Sequence, residues 1–358
     1  MNSWKHRVLA AFDEYCYHTY PHCNGFADGS RSVVVGERRE GYVNLWKLDL
    51  VEGGRQLIHH FPTDAPQIWF DVAAGANILV AVTENELWRF DLSRGTKGEV
   101  LLRAPEGLRL QDLPSITADG TRGLVAFQEG AVYGVMLVDM VAGSFQRIIE
   151  HSWWVNHAHF SPFDPQWIGY CHEGPCDAVA DRVWAWHPEH CPHGRCVFHQ
   201  AELGADRPIQ LGHEVWSSHD LSIFVPAFGA SPEGRRGLYQ LFPDDGRPAR
   251  LVSPGNRDWH CGVSPDGRWA VLDTAGANDL PGTGWEGTNN ISDILLLNLA
   301  TGARTNLART HFTRHPWHPH PAFSLDSQSI IYSESDITAN PKTPTGRIHI
   351  LELAGRSH

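Results

Sequence analysis

Residues 315–321 read His315-Pro316-Trp317-His318-Pro319-His320-Pro321. Neutral imidazole suits borderline divalent cations such as Mn, Zn, Ni, Co or Fe. Residues two apart on an extended strand point to the same side, which aims His318 and His320 at one ion. His315 lies one short turn earlier and offers a third corner. Three prolines stiffen the segment and lower the entropy cost of holding ligands. The plain alternative is a polar loop with incidental histidines.

His260 is the natural fourth partner. It lies in Asp258-Trp259-His260-Cys261-Gly262-Val263-Ser264-Pro265-Asp266-Gly267, and precedes Ser264 by the interval that separates His320 from Ser324. The same place holds His157 in His157-Ala158-His159-Phe160-Ser161-Pro162 and His213 in His213-Glu214-Val215-Trp216-Ser217. A histidine satisfied by hydrogen bonds in a core explains one or two such places. Four in register argue for a site. His213 is remote in sequence from the 315–321 cluster and is free to act as a base. Arg182, after His172-Glu173-Gly174-Pro175-Cys176, suits a bidentate carboxylate grip. On spacing alone, a surface pair with Asp181 or Glu173 is the competing reading. Cys176, His187, His190, Cys191, His193, Cys196 and His199 form a second group. It lacks a clean paired-cysteine motif and reads as a loop, with a structural zinc as the alternative. No phosphate-binding glycine loop, dinucleotide fingerprint or nucleophile elbow is present.

The elements that must position these residues repeat. A small or Asp-Gly turn followed by a short apolar strand occurs at 27–36, 73–82, 118–127, 161–171, 217–226, 264–273 and 324–333. A second strand with alternating apolar residues follows at 43–50, 87–92, 133–140, 182–187, 238–242, 294–299 and 348–353. Seven copies at about 45 residues match the spacing of propeller blades. The sequence predicts an all-β, seven-bladed β-propeller over residues 1–358 as a single domain, with the site-bearing blades at about 151–335. A pair of β-sandwiches would not explain the regular period. Two longer periods, at 187–208 and 275–292, predict loops on the face that carries the site.

The 358 residues include 42% hydrophobic and 20% charged side chains, ordinary for a soluble globular chain. The formal charge of −12 argues against nucleic acid as a partner. It leaves room for an anionic small substrate held by local arginines and a metal. The start lacks the apolar core of an export signal, and no run of about 18 apolar residues is long enough to span a membrane. With seven cysteines, an odd number, reduced thiols in the cytoplasm are the expectation. Homo-oligomerisation is left open.

The blocks His157 to Trp184, His213-Glu214-Val215-Trp216, the run from His260 to Gly267, and His318-Pro319-His320-Pro321-Ala322-Phe323-Ser324 together resemble bacterial oligogalacturonate lyases. The resemblance runs in order from about His157 to Ser333 and is looser over the first 150 residues. It implies a seven-bladed propeller, a cytoplasmic location, a divalent metal (usually manganese) and β-elimination on short oligogalacturonides. On matching positions it implies His260, His318 and His320 as metal ligands, His213 as base and Arg182 as a substrate-binding residue. His157, His159 and His172, in the same blocks, are further candidates for contact with a substrate. Two positions depart from the family pattern. His315 stands where Gln is usual, which would give a four-His site, and Cys176 stands where an aromatic residue is usual.

The chemistry this implies is removal of the C5 proton of a uronate by His213 while a metal offsets charge on the carboxylate. The group at C4 then leaves, and Arg182 orients the acid. The rival readings are a lyase or hydrolase on another uronate-containing oligosaccharide, and a non-catalytic propeller that binds protein partners.

Overall fold

In a computed structural model, residues 4–95, 97–201, 208–229, 231–232, 234–244, 246–275, 291–311, 317–336 and 345–353 are described. Residues 276–290, with most of the expected long loop, lie outside them, as does His315.

The recurring turn marker has a physical cause. In Ser264-Pro265-Asp266-Gly267 the Ser264 hydroxyl donates to Asp266 (2.6 Å) and accepts from the Trp269 N–H (2.9 Å). Gly267 supplies the left-handed φ of 70° that closes the turn. Ser324 and Asp326 repeat the device, with the Ser329 N–H on Ser324 (2.9 Å). Thr117 and Asp119 repeat it with the Arg122 N–H (3.1 Å). Each turn reverses the innermost strand of a blade into a buried second strand. That strand reads as a continuous apolar run because sheets pack on both its faces; Ile78–Val82 is one example, buried throughout. The third strand is packed less completely, and in blade four, Val183–His187, it alternates in burial.

The strands form seven antiparallel sheets of four or five strands, with consecutive strands joined by hairpins: a seven-bladed β-propeller. Blade one is built on Ser32–Arg39, blade two on Ile78–Val82, blade three on Arg122–Glu129 and blade four on Ile168–His172. Blade five is built on Ile223–Phe228, blade six on Trp269–Thr274 and blade seven on Ser329–Asp336. Aromatic side chains fill the gaps between blades. Tyr17, Phe70 and Phe90 are fully buried in one such layer.

Sequence periodicity did not reveal how the ring closes. Trp4–Phe12, at the start of the chain, pairs with Thr345–Leu353 and becomes the outermost strand of blade seven. Blade seven also meets blade one through the His18 N–H on the Ser333 hydroxyl (2.9 Å) and the Leu325 N–H on the Ser30 hydroxyl (3.0 Å).

A polar cluster backs this closure. The Glu334 carboxylate takes His349 (3.1 Å), His311 (2.9 Å) and Arg347 (3.0 Å), and His349 meets His6 of the first strand (2.9 Å). Burial opposes ionisation of Glu334, but these three partners outweigh it and hold its carboxyl far below the usual carboxylate range. A depressed folded pKa contributes stability above the unfolded value, about 4.3, and loses it as pH falls through the folded one. Glu334→Gln is therefore expected to lower stability at pH 7 by on the order of 1 kcal/mol, because solvent reaches Arg347 and His311 and screens their charges. In urea titrations, its difference from the parent should shrink below about pH 4. A pH-independent difference would show that lost packing, not charge, is the cause.

Candidate active site and metal centre

In blades four to seven a histidine stands four residues before the first residue of the turn: His157, His213, His260 and His320 before Ser161, Ser217, Ser264 and Ser324. The equivalent places in blades two and three hold Trp69 and Leu113. The chemistry is thus gathered on one side of the channel.

The backbone at these places is not plain strand. His157, His213 and His320 have φ values of 54°, 66° and 47°, in the left-handed region that histidine enters more readily than most residues. Such conformations cost about 1–3 kcal/mol each and gather at functional sites. The pairing slips by one residue between Asn156 and His159 and between Asp258 and Cys261, so His157 and His260 sit in bulges. A bulge re-aims a side chain out of the alternating pleat.

His260, His318 and His320 converge. All three are buried, and each offers a ring nitrogen within 4.8 Å of the others'. Asp273 organises them. Its carboxylate accepts the His260 backbone N–H (2.7 Å), the His260 Nδ1–H (2.9 Å) and the His320 backbone N–H (3.2 Å). The Nδ1 bond fixes the tautomer of His260 and leaves the Nε2 lone pair for an ion. Burial pushes the Asp273 carboxyl up to about 7. Trp317 anchors the segment that carries the other two histidines by stacking on Tyr15 (4.2 Å between centroids), and the Ser333 N–H holds the Pro319 carbonyl (2.9 Å). A set of three imidazoles with an aspartate behind one of them suits a borderline divalent cation.

His213 lies against this triad, its ring 4.2 Å from that of His260. Its Nδ1 meets the hydroxyl of Tyr20. Burial, with His260 and Arg182 nearby, holds the imidazole well below its usual pKa, so it is neutral and carries a lone pair. Burial pushes the Tyr20 phenol up, and it keeps its proton.

A cleft of about 980 Å³ opens beside them, bordered by Tyr20, Trp154, Asn156, His157, Glu173, Arg182 and His213. It lies at the upper end of the range for small-ligand sites. Arg182 is not a surface residue: it is 4% exposed. It donates to both oxygens of Glu173 (3.2 and 3.0 Å) and lies 3.7 Å from Glu214. Burial works against the Glu173 charge, but Arg182 and His157 hold its carboxyl down to about 2.

Of the residues expected beside a substrate, Arg182 and His157 border the cleft, but His159 and His172 do not. His159 stacks on His22 (4.4 Å) and lines a separate chamber of about 230 Å³ in the channel. His172 pairs with Asp181 (2.8 Å) over the face of Trp153. The left-handed turn at His157 breaks the alternation that would have put it and His159 on one side. The Cys/His-rich segment does not assemble a centre. Cys191 and Cys196 end one outer strand, opposite His187 and Trp184. Among the described residues, the other possible ligand group is His157, Cys171 and Glu173. There the Cys171 thiol, pushed up by burial, donates to Glu173, whose charge Arg182 already holds. Also among the described residues, no helix is long and apolar enough to cross a membrane.

Sequence reasoning missed Tyr20 and Asp273. Tyr20 carried a signal: His18-Thr19-Tyr20-Pro21-His22 resembles the 315–321 segment in its dense His and Pro content. Asp273 lies near the end of a strand as an ordinary blade residue would, and only the fold reveals its partners.

A family model described as oligogalacturonate lyase matches residues 126–348. Similar curated proteins include an oligogalacturonide lyase of Pectobacterium atrosepticum, 26% identical over 214 residues, and an oligogalacturonate lyase of Dickeya dadantii, 23% identical over 221 residues. Each alignment takes in 57% of this chain and 52% of the relative, so the chain spans about half the length of the curated relatives it matches. Among solved structures, an oligogalacturonate lyase in complex with manganese has a TM-score of 0.76 at 19% identity, covering 99% of this chain and 98% of the other. An oligogalacturonate lyase from Vibrio parahaemolyticus has a TM-score of 0.77 at 18% identity, covering 98% and 96%. At these identities the likeness shows the shared propeller fold.

Proposed function

Because the chain belongs to the oligogalacturonate lyase family, we propose that it cleaves short oligogalacturonides by metal-dependent β-elimination. The observation that carries this reading is the buried imidazole of His213 set between a group of three histidines and a cleft large enough for a sugar acid.

His260, His318 and His320 are the residues that would hold the metal. Manganese is the first candidate, since a solved lyase of the same fold is described with it. When bound, a divalent cation supplies Lewis-acid stabilisation of charge on the uronate carboxylate. The chain does the rest. His213 takes the C5 proton through its free ring nitrogen. Arg182, locked by Glu173, faces the cleft with a fixed orientation, so positioning a carboxylate costs little further entropy. Trp154 offers an amphipathic ring at the cleft wall against which a sugar face can pack. No covalent nucleophile is needed.

The test is absorbance in the ultraviolet band of an unsaturated uronate, with digalacturonate and added manganese. A rise supports the reading. A rise only with other uronate oligomers would move the substrate and keep the reaction. No rise with any uronate, in manganese, cobalt or nickel, sinks the lyase reading.

A further inference from the structure

Elimination needs an acid as well as a base, because a sugar oxygen leaves poorly as an alkoxide. Resting on the lyase reading above, we infer that the Tyr20 hydroxyl protonates the leaving oxygen at C4, in relay with His213.

Tyr20 comes from blade one, the ring neighbour of blade seven, and its ring lies among those of the histidine-bearing blades. Its ring lies 4.9 Å from that of His157, 5.2 Å from His320 and 6.1 Å from His213, centroid to centroid. It borders the cleft that His213 and Arg182 also border. The hydrogen-bond inventory then fixes its part. A neutral imidazole carries one N–H and one lone pair, and a hydroxyl has one donor and two acceptor sites. If the Nε2 of His213 is to accept the C5 proton, its Nδ1 must carry hydrogen and donate it to the Tyr20 oxygen. The phenolic hydrogen is then left over. Among the described residues the hydroxyl makes no other hydrogen bond, and Tyr20 is one of the residues that border the cleft.

The step balances. The C5–H bond breaks and its proton goes to His213 Nε2, while the electron pair forms the C4–C5 double bond. The C4–O bond breaks, and the oxygen takes the phenolic proton of Tyr20. The Tyr20 oxygen takes the proton from His213 Nδ1. Both side chains end neutral, with the imidazole in its other tautomer, and exchange with water resets them. No co-reactant is consumed. Glu173 is poorly placed for this role, because Arg182 keeps it ionised.

The test is Tyr20→Phe, assayed on digalacturonate and on a 4-deoxy-4-fluoro-galacturonide, whose fluoride leaves without a proton. The rate on digalacturonate should fall by about 10²–10⁴-fold, and that on the fluoride by less than about tenfold. Manganese binding by calorimetry should be unchanged. Equal losses on both substrates would overturn the assignment and make Tyr20 a positioning residue for His213. An unchanged rate on digalacturonate would overturn it too. If Tyr20→Phe fails to fold or to bind manganese, 3-fluorotyrosine at position 20 replaces it: the rate should change on digalacturonate alone. A parent protein inactive on both substrates, and on the other uronates, would overturn the lyase reading instead.

Discussion

His213→Ala is expected to lower turnover of digalacturonate by about 10²–10⁴-fold, the contribution of a positioned general base. The loss should fall on kcat more than on KM, because the base acts in the transition state and holds little of the ground-state substrate. Folding is the confounder. His213 has a φ of 66°, and alanine tolerates that conformation less well than histidine does. His213→Asn removes the imidazole with less backbone strain, since asparagine enters the left-handed region readily. The two variants should be equally inactive while differing in melting temperature. Manganese should still bind to both, as His213 is beside the triad rather than part of it. Activity within tenfold of the parent in His213→Asn would show that another group takes the proton, and His157 is then next in line at the cleft.

The sequence carries local features well and long-range ones poorly. The Ser-Pro-Asp-Gly turn at Ser264 was legible because the residues that make it lie within six positions of each other. The blade count followed from that turn and its copies. The register of His157, His213, His260 and His320 was legible for the same reason: each is counted from its own turn. What the histidines do there was less so. Two-residue spacing on a straight strand would place His157 with His159. A left-handed residue and a bulge send them to opposite chambers instead. His318 and His320 do converge, yet by a different route, because 317–321 is not a strand and His320 is itself left-handed. Arg182 was weighed as a grip on substrate against a surface ion pair. It is an ion pair with Glu173, but a buried one at the cleft. The closing strand Trp4–Phe12, the Tyr20 hydroxyl on His213 and the Asp273 carboxylate under two histidines depend on partners brought together only by the closed ring.

Loss of a metal ligand should have the other large effect. His318→Ala removes one of three imidazoles whose nitrogens lie within 4.8 Å of one another, leaving two. The expected result is protein that holds no stoichiometric manganese by elemental analysis and has no measurable lyase activity. Asp273→Asn is the graded counterpart. It keeps all three ligands and replaces the carboxylate that orients His260, so metal affinity should fall by about 10–100-fold, as is usual for the group behind a ligating histidine. Activity in this variant should return when manganese is raised, whereas His318→Ala should not be rescued. A readout independent of turnover follows from mass action. A metal that binds the folded chain stabilises it by about 2.7 kcal/mol at 100 times its Kd. Manganese should therefore raise the melting temperature of the parent, raise that of Asp273→Asn only at higher concentration, and leave that of His318→Ala unmoved. A full manganese-induced shift in His318→Ala would place the ion elsewhere. The His157, Cys171 and Glu173 group would then be the site to test, despite the arginine that already holds its carboxylate.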